Sequence, residues 1–149
     1  MRNLLLLLLP LFSLGLSAQD APTVHSCVTD GVAVGGYDLV SYHQEGGPVP
    51  GSADHAGEHG DLRYLFSTAA NRDLFRADPE RYLPTYQGWC AATLAMGRLA
   101  CPDYTNFKIE QGRLLLFELA GFTNGRSLWN SDPAGFRERA DANFEKLVR

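Results

Sequence analysis

The stretch LPTYQGWCAATLAMG, residues 83–97, places a thiol, Cys90, between Trp89 and Ala91 with no second cysteine at CxxC spacing. Four kinds of chemistry are open to it: apolar packing, half of a disulfide, a reactive or redox thiolate, and ligation of a soft metal. A reactive thiolate needs a neighbouring cation or helix N-terminus to lower its pKa. No Lys, Arg or His stands within five residues of Cys90. Metal ligation would need further donors, such as the Met96 thioether or a folded-in histidine, because thiolate and thioether together favour Cu(I). The chain has 3 cysteines, so at least one lacks an intramolecular partner. Spacing leaves both Cys27–Cys101 and Cys90–Cys101 open.

The histidines offer a second pattern. HAGEH, residues 55–59, matches the HxxEH string in which a helix presents two His to zinc and a Glu acts as base. Here the string contains Gly57, abuts Gly60 and falls where a strand is expected. On a strand the Cα atoms of His55 and His59 would lie about 13 Å apart, a poor fit to one metal. His25 could join a labile metal site only with an unpaired Cys27, and His43 is expected in a solvated loop. Asp38, Asp73, Asp78, Glu80 and Asp103 are scattered through caps and turns, with Asp38 expected to fix a turn through backbone hydrogen bonds. There is no G-x-S-x-G elbow, P-loop or GxGxxG, so no catalytic constellation is visible and no enzyme is expected. Tyr37, Tyr42, Tyr64, Phe66, Phe75, Tyr82, Tyr86 and Trp89 are expected to build the core, with a ligand pocket lined by the same rings as the functional alternative.

The elements that must position these groups follow from punctuation and periodicity. MRNLLLLLLPLFSLGLSAQD has an early Arg2, an apolar run and small residues ending at Ala18. It reads as a signal peptide, residues 1–18, cleaved after Ala18, so the protein is expected to be exported, periplasmic or secreted, without stable membrane insertion. Residues 19–30 form a polar N-terminal arm, and residues 31–149 one domain. Loss of Arg2 takes the net charge from −4 to about −5, and no Lys/Arg cluster offers a nucleic-acid footprint. The 45% apolar content supports a packed core.

GVAVGGYDLVSYH suggests a short strand and then a turn or single helical turn. Gly60-Asp61 turns one hairpin and Gln111-Gly112 a second. Between them, Ser67 or Thr68 caps a helix with Leu74 and Phe75 on its apolar face, which Pro79 stops or restarts. Continuous apolarity in LLLFEL indicates a strand covered on both faces. Phe136, Ala140, Phe144 and Leu147 mark an amphipathic C-terminal helix. The expected fold class is α+β: a small antiparallel sheet built from hairpins, packed against short helices and the C-terminal helix.

In chain order, VAVGGYDLVSYH, GDLRYLFSTAANRDLFRADPERYLPTYQGWCA, FKIEQGRLLLF and LWNSDPAGFRERADANFEKL resemble the exported, stand-alone YHS domain proteins. The likeness runs from about Val32 to Leu147. That family's pattern has a GYDxVxY opening, a hairpin, NRxxFxxxPxxYxPxYxGxCA and a terminal ADxNW-like helix. Trp89 here replaces the usual Tyr beside the cysteine, and Phe144 stands where Trp is common. The resemblance implies a small binding module related to heavy-metal-binding domains, with copper ahead of zinc as the metal and Cys90 as the shared cysteine. Cys27 and Cys101 are additions to the common pattern, which implies that they pair with each other. Soft-metal binding by Cys90 and Met96 is therefore the expected function. The alternative is a structural or protein-interaction module of the periplasm with Cys90 in its core, and a thiol-redox enzyme comes third. Any protein partner is unspecified.

Overall fold

A computed structural model describes residues 27–149; the expected signal peptide, residues 1–18, and most of the expected arm lie outside the described residues. The architecture is α+β. Strands β1, Ser52–His59, and β2, Leu62–Phe66, form the first antiparallel hairpin, turned at Gly60-Asp61. Helix α1, Ala69–Ala77, follows at once because the Thr68 hydroxyl accepts the Asn71 N–H as an N-cap. Pro79 restarts the chain as a single 3-10 turn, Pro79–Arg81. After a second 3-10 segment, Thr85–Gly88, comes the short helix α2, Ala91–Ala95.

The second hairpin joins β3, Asp103–Glu110, to β4, Arg113–Phe117, around Gln111-Gly112. A two-residue ladder of β5, Leu119–Ala120, and β6, Thr123–Asn124, leads into α3, Gly125–Ser131, and the long α4, Pro133–Leu147. The strands form three separate two-stranded antiparallel ladders.

Strand β4 explains why these pieces hold together. Its side chains alternate by the period of a strand. Leu114 and Leu116 enter one apolar cluster with Leu39, Tyr64, Phe66 and Phe75, while Leu115 and Phe117 enter a second with Cys90, Trp129, Phe136 and Ala140. Leu114, Leu115, Leu116 and Phe117 are all buried, as a strand covered on both faces must be. In the second cluster Trp129 meets Phe117 edge-on and Phe136 at a tilt, with ring centroids 5.8 and 6.0 Å apart.

Two local expectations change. The strand expected after Gly31 reduces to isolated bridges of Val32 with Thr29 and Arg63, because the chain turns into 3-10 segments at Val34–Gly36 and Ser41–His43. Gly35 needs its positive φ of 57°, and the Tyr104 ring lies where a Cβ would be. On α1 only Phe75 is buried; Leu74 is 48% exposed, one residue off the inward face. No helix among the described residues is long and apolar enough to cross a membrane.

Candidate functional site

Cys90 is the N-cap residue of α2 and is fully buried. Its backbone is tied on both sides: its N–H donates to Ala100 O at 3.1 Å, and its carbonyl accepts from Leu94 N and from the Thr93 hydroxyl. The sulfur accepts the Glu118 N–H at 3.1 Å. A Cβ at Gly125, the first residue of α3, would touch the sulfur at 3.4 Å and crowd Glu118 O and Phe117 Cβ at 3.2 and 3.3 Å. The thiol therefore fills a gap between α2, the end of β4 and the start of α3.

The structure does not bring Met96 to that sulfur as part of a donor set. Met96 ends α2 and is 48% exposed, whereas Cys90 opens the same helix facing inward. Six helical positions advance the chain by about 9 Å. No cluster of three or more His, Cys, Asp or Glu suited to a metal occurs among the described residues. Cys27 and Cys101 form a disulfide, with Cα atoms 5.5 Å apart, leaving Cys90 as the free cysteine.

The histidines stay apart in role. His55 falls in the irregular stretch of β1 between the Ser52 and Ala56 pairings, and His59 ends the strand. His59 meets Glu80 at 3.7 Å and packs edge-on against Phe75. His43 is half-buried, where solvent exposure was expected; its ring stands edge-on to Tyr82, and burial followed by the charge of Arg81 lowers its pKa. His25 lies outside the described residues.

A cavity of about 340 Å³ opens between the tip of the first hairpin, the Pro79–Arg81 turn, the Thr85–Gly88 segment and α4. Its origin lies in a mismatch of chain length. Pro84 bridges Leu114 and Cys90 bridges Leu116, so six steps of chain run beside two steps of β4. The excess arches outward, and Tyr86, Gln87 and Gly88 turn it with φ of 62°, 52° and 84°. Val34, on the opposite wall, also has a positive φ of 54°. Left-handed backbone costs a non-glycine residue about 1–3 kcal/mol, most for a β-branched one, and persists only where the surroundings enforce it.

Those surroundings are visible at Tyr86. Its hydroxyl donates to Asp141 Oδ1 of α4 at 2.8 Å, Arg113 lies 5.5 Å above its ring, and Phe144 packs against it at 5.6 Å. Burial, then Asp141, pushes its phenol far above the ordinary value, so it remains a donor. Tyr64, on the other side, is pushed up to about 12 by burial and by the charge of Glu80. Asp61 and Glu80 contribute the cavity's carboxylates, and no Lys or Arg lines it. Gln87 Oε1 is buried with no hydrogen-bond partner. The sequence marks Tyr64 and Tyr86 as pocket rings but carries no signal for Val34 and Gln87, since no local pattern marks a Val or Gln for positive φ.

No family model, curated protein or solved structure matches this chain.

Proposed function

We propose that this protein is an exported, non-catalytic binding module of the YHS-domain type in which Cys90 is a structural core thiol. The observation that carries this reading is the saturation of Cys90: fully buried, hydrogen-bonded by Glu118 N–H, and enclosed by Gly125, Phe117 and α2. A soft-metal ligand must offer its lone pairs to an ion, in company with other donors. The residues present do not fit Cu(I) at Cys90, because Met96 stands at the far, exposed end of α2 and no His/Cys/Asp/Glu cluster suited to a metal occurs among the described residues. Support for the YHS assignment is the ordered set of sequence segments, and support for export is the leader-like N-terminus with the disulfide.

The test is anaerobic Cu(I) titration of the mature protein, followed by native mass spectrometry, in wild type and Cys90→Ser, with unfolding curves for both. Neither form should retain stoichiometric copper. The variant should stay folded but lose about 1–3 kcal/mol of stability, since a hydroxyl would replace sulfur in an apolar site. Copper bound one-to-one to wild type and lost in Cys90→Ser would overturn the reading.

A further inference from the structure

We propose that the cavity between the first hairpin and the Tyr86–Gly88 arch binds a small organic cation, an amine carrying an apolar and preferably aromatic body. The inference rests on the binding-module reading and names the chemistry of its ligand. Three features of the lining point the same way.

The first is volume and wall. At about 340 Å³ the cavity suits a small ligand, and Tyr64, Leu83, Pro84, Tyr86 and Phe144 give it an aromatic and aliphatic surface. Cations are attracted to aromatic faces, which gives the rings a second use. The second feature is charge. Asp61 and Glu80 are the carboxylates of the lining, and no lysine or arginine opposes them. Arg113, the nearest cation to the Tyr86 ring, is paired with Asp141 at 3.0 Å. An anionic ligand would meet two carboxylates and no lysine or arginine.

The third feature is the state of the walls. An ammonium group supplies N–H donors and positive charge together, which suits the carboxylate acceptors of the lining. Both phenols facing the cavity stay protonated through the neutral range, so they add no competing anion. The left-handed backbone at Val34, Tyr86 and Gln87 holds the two walls apart without the ligand, which keeps the site preformed.

The experiment is an NMR titration of the folded protein with 2-phenylethylamine, and with phenylacetate and 2-phenylethanol as anionic and neutral counterparts of similar shape. The amine should give saturable shifts confined to residues 33–34, 59–64, 80–87 and the neighbourhood of Phe144. The alcohol should bind more weakly, and the acid should give no saturable shift. Glu80→Gln should weaken the amine by a few-fold, as expected for a solvent-exposed carboxylate. Asp61→Asn should weaken it by a similar few-fold, and both changes together by more than either alone. Both positions are solvent-exposed, so the variants should fold as wild type does. Phenylacetate binding as tightly as the amine, shifts centred elsewhere, indifference to both substitutions, or no saturation at millimolar amine would each overturn the assignment. Copper retention at Cys90 would instead overturn the core-thiol reading, so the two failures are distinguishable.

Discussion

Asp38 is fully buried, and its carboxylate is met by four donors. Val40 N–H reaches Oδ1 at 2.9 Å, while Ser67 N–H, Ser67 Oγ and Asn71 Nδ2 reach Oδ2 at 2.8, 2.6 and 2.7 Å. One side chain thus fixes its own turn and ties it to the entry of α1. Asp38→Asn would keep the shape but turn an NH₂ group toward donors, leaving at least one buried N–H or O–H unpaired. The expected loss is about 2–4 kcal/mol in urea unfolding, because hydrogen bonds to charged groups are the stronger kind and their orphaned donors stay buried. A variant as stable as wild type would show that the network adds nothing. Half of this arrangement was legible in the sequence: an Asp at a turn beside Gly35-Gly36 announces bonding to its own backbone. The other half depends on residues 29 and 33 positions away, which no local pattern connects. The same limit applies to Cys90, whose thiol was plain in the sequence but whose burial depends on Glu118 and Gly125.

Elements are joined by a smaller set of charged contacts, of which Glu110 on β3 is the most enclosed. It pairs with Lys108 at 2.8 Å and with Arg137 of α4, while Lys108 also donates to Asn130 of α3 at 2.9 Å. Burial alone would raise the Glu110 pKa; the hydrogen bonds and charges of Lys108 and Arg137 outweigh it and lower the pKa below the ordinary glutamate value. A carboxyl depressed in the folded state stabilises the fold above its unfolded pKa and loses that contribution as pH falls through the folded one. Wild type should therefore lose stability from about pH 4.3, the ordinary glutamate value, downward through the lower folded value. Glu110→Gln should be weaker by about 1–2 kcal/mol at pH 7 and should show a shallower acid limb, with the two forms converging at low pH. Parallel curves would remove Glu110 from the linkage.

Both hairpins, a helix cap at Ser67 or Thr68, the break at Pro79, doubly covered β4 and terminal α4 were legible because each rests on turn chemistry, capping or periodicity within a few residues. The Tyr86–Gly88 arch was not, because its left-handed backbone answers a length mismatch with β4, a strand nearly thirty residues later.

Across the whole molecule, β4 and the Cys27–Cys101 disulfide bind distant parts by different physics. The strand joins two apolar clusters from within, so cohesion of the domain does not depend on the cross-link. The disulfide closes a sequence separation of 74 and fastens the start of the described chain to the approach to β3, where the Tyr104 hydroxyl also donates to Cys27 O at 2.9 Å. Such a loop stabilises chiefly by restricting the unfolded chain, typically by about 2–4 kcal/mol. Cys27→Ala/Cys101→Ala should accordingly remain folded, with native secondary structure, and unfold about 2–4 kcal/mol more readily. Thiol counting separates this pairing from its rival. Oxidised wild type should expose no reactive thiol while native and one after unfolding, that of Cys90. The double variant should give the same counts, because its sole thiol is still in the core. A Cys90–Cys101 bond would instead leave Cys27 as the free thiol of wild type, reactive in the native state. Three thiols in protein recovered from an oxidising compartment would dissolve the strap altogether and take with it one of the two supports for export.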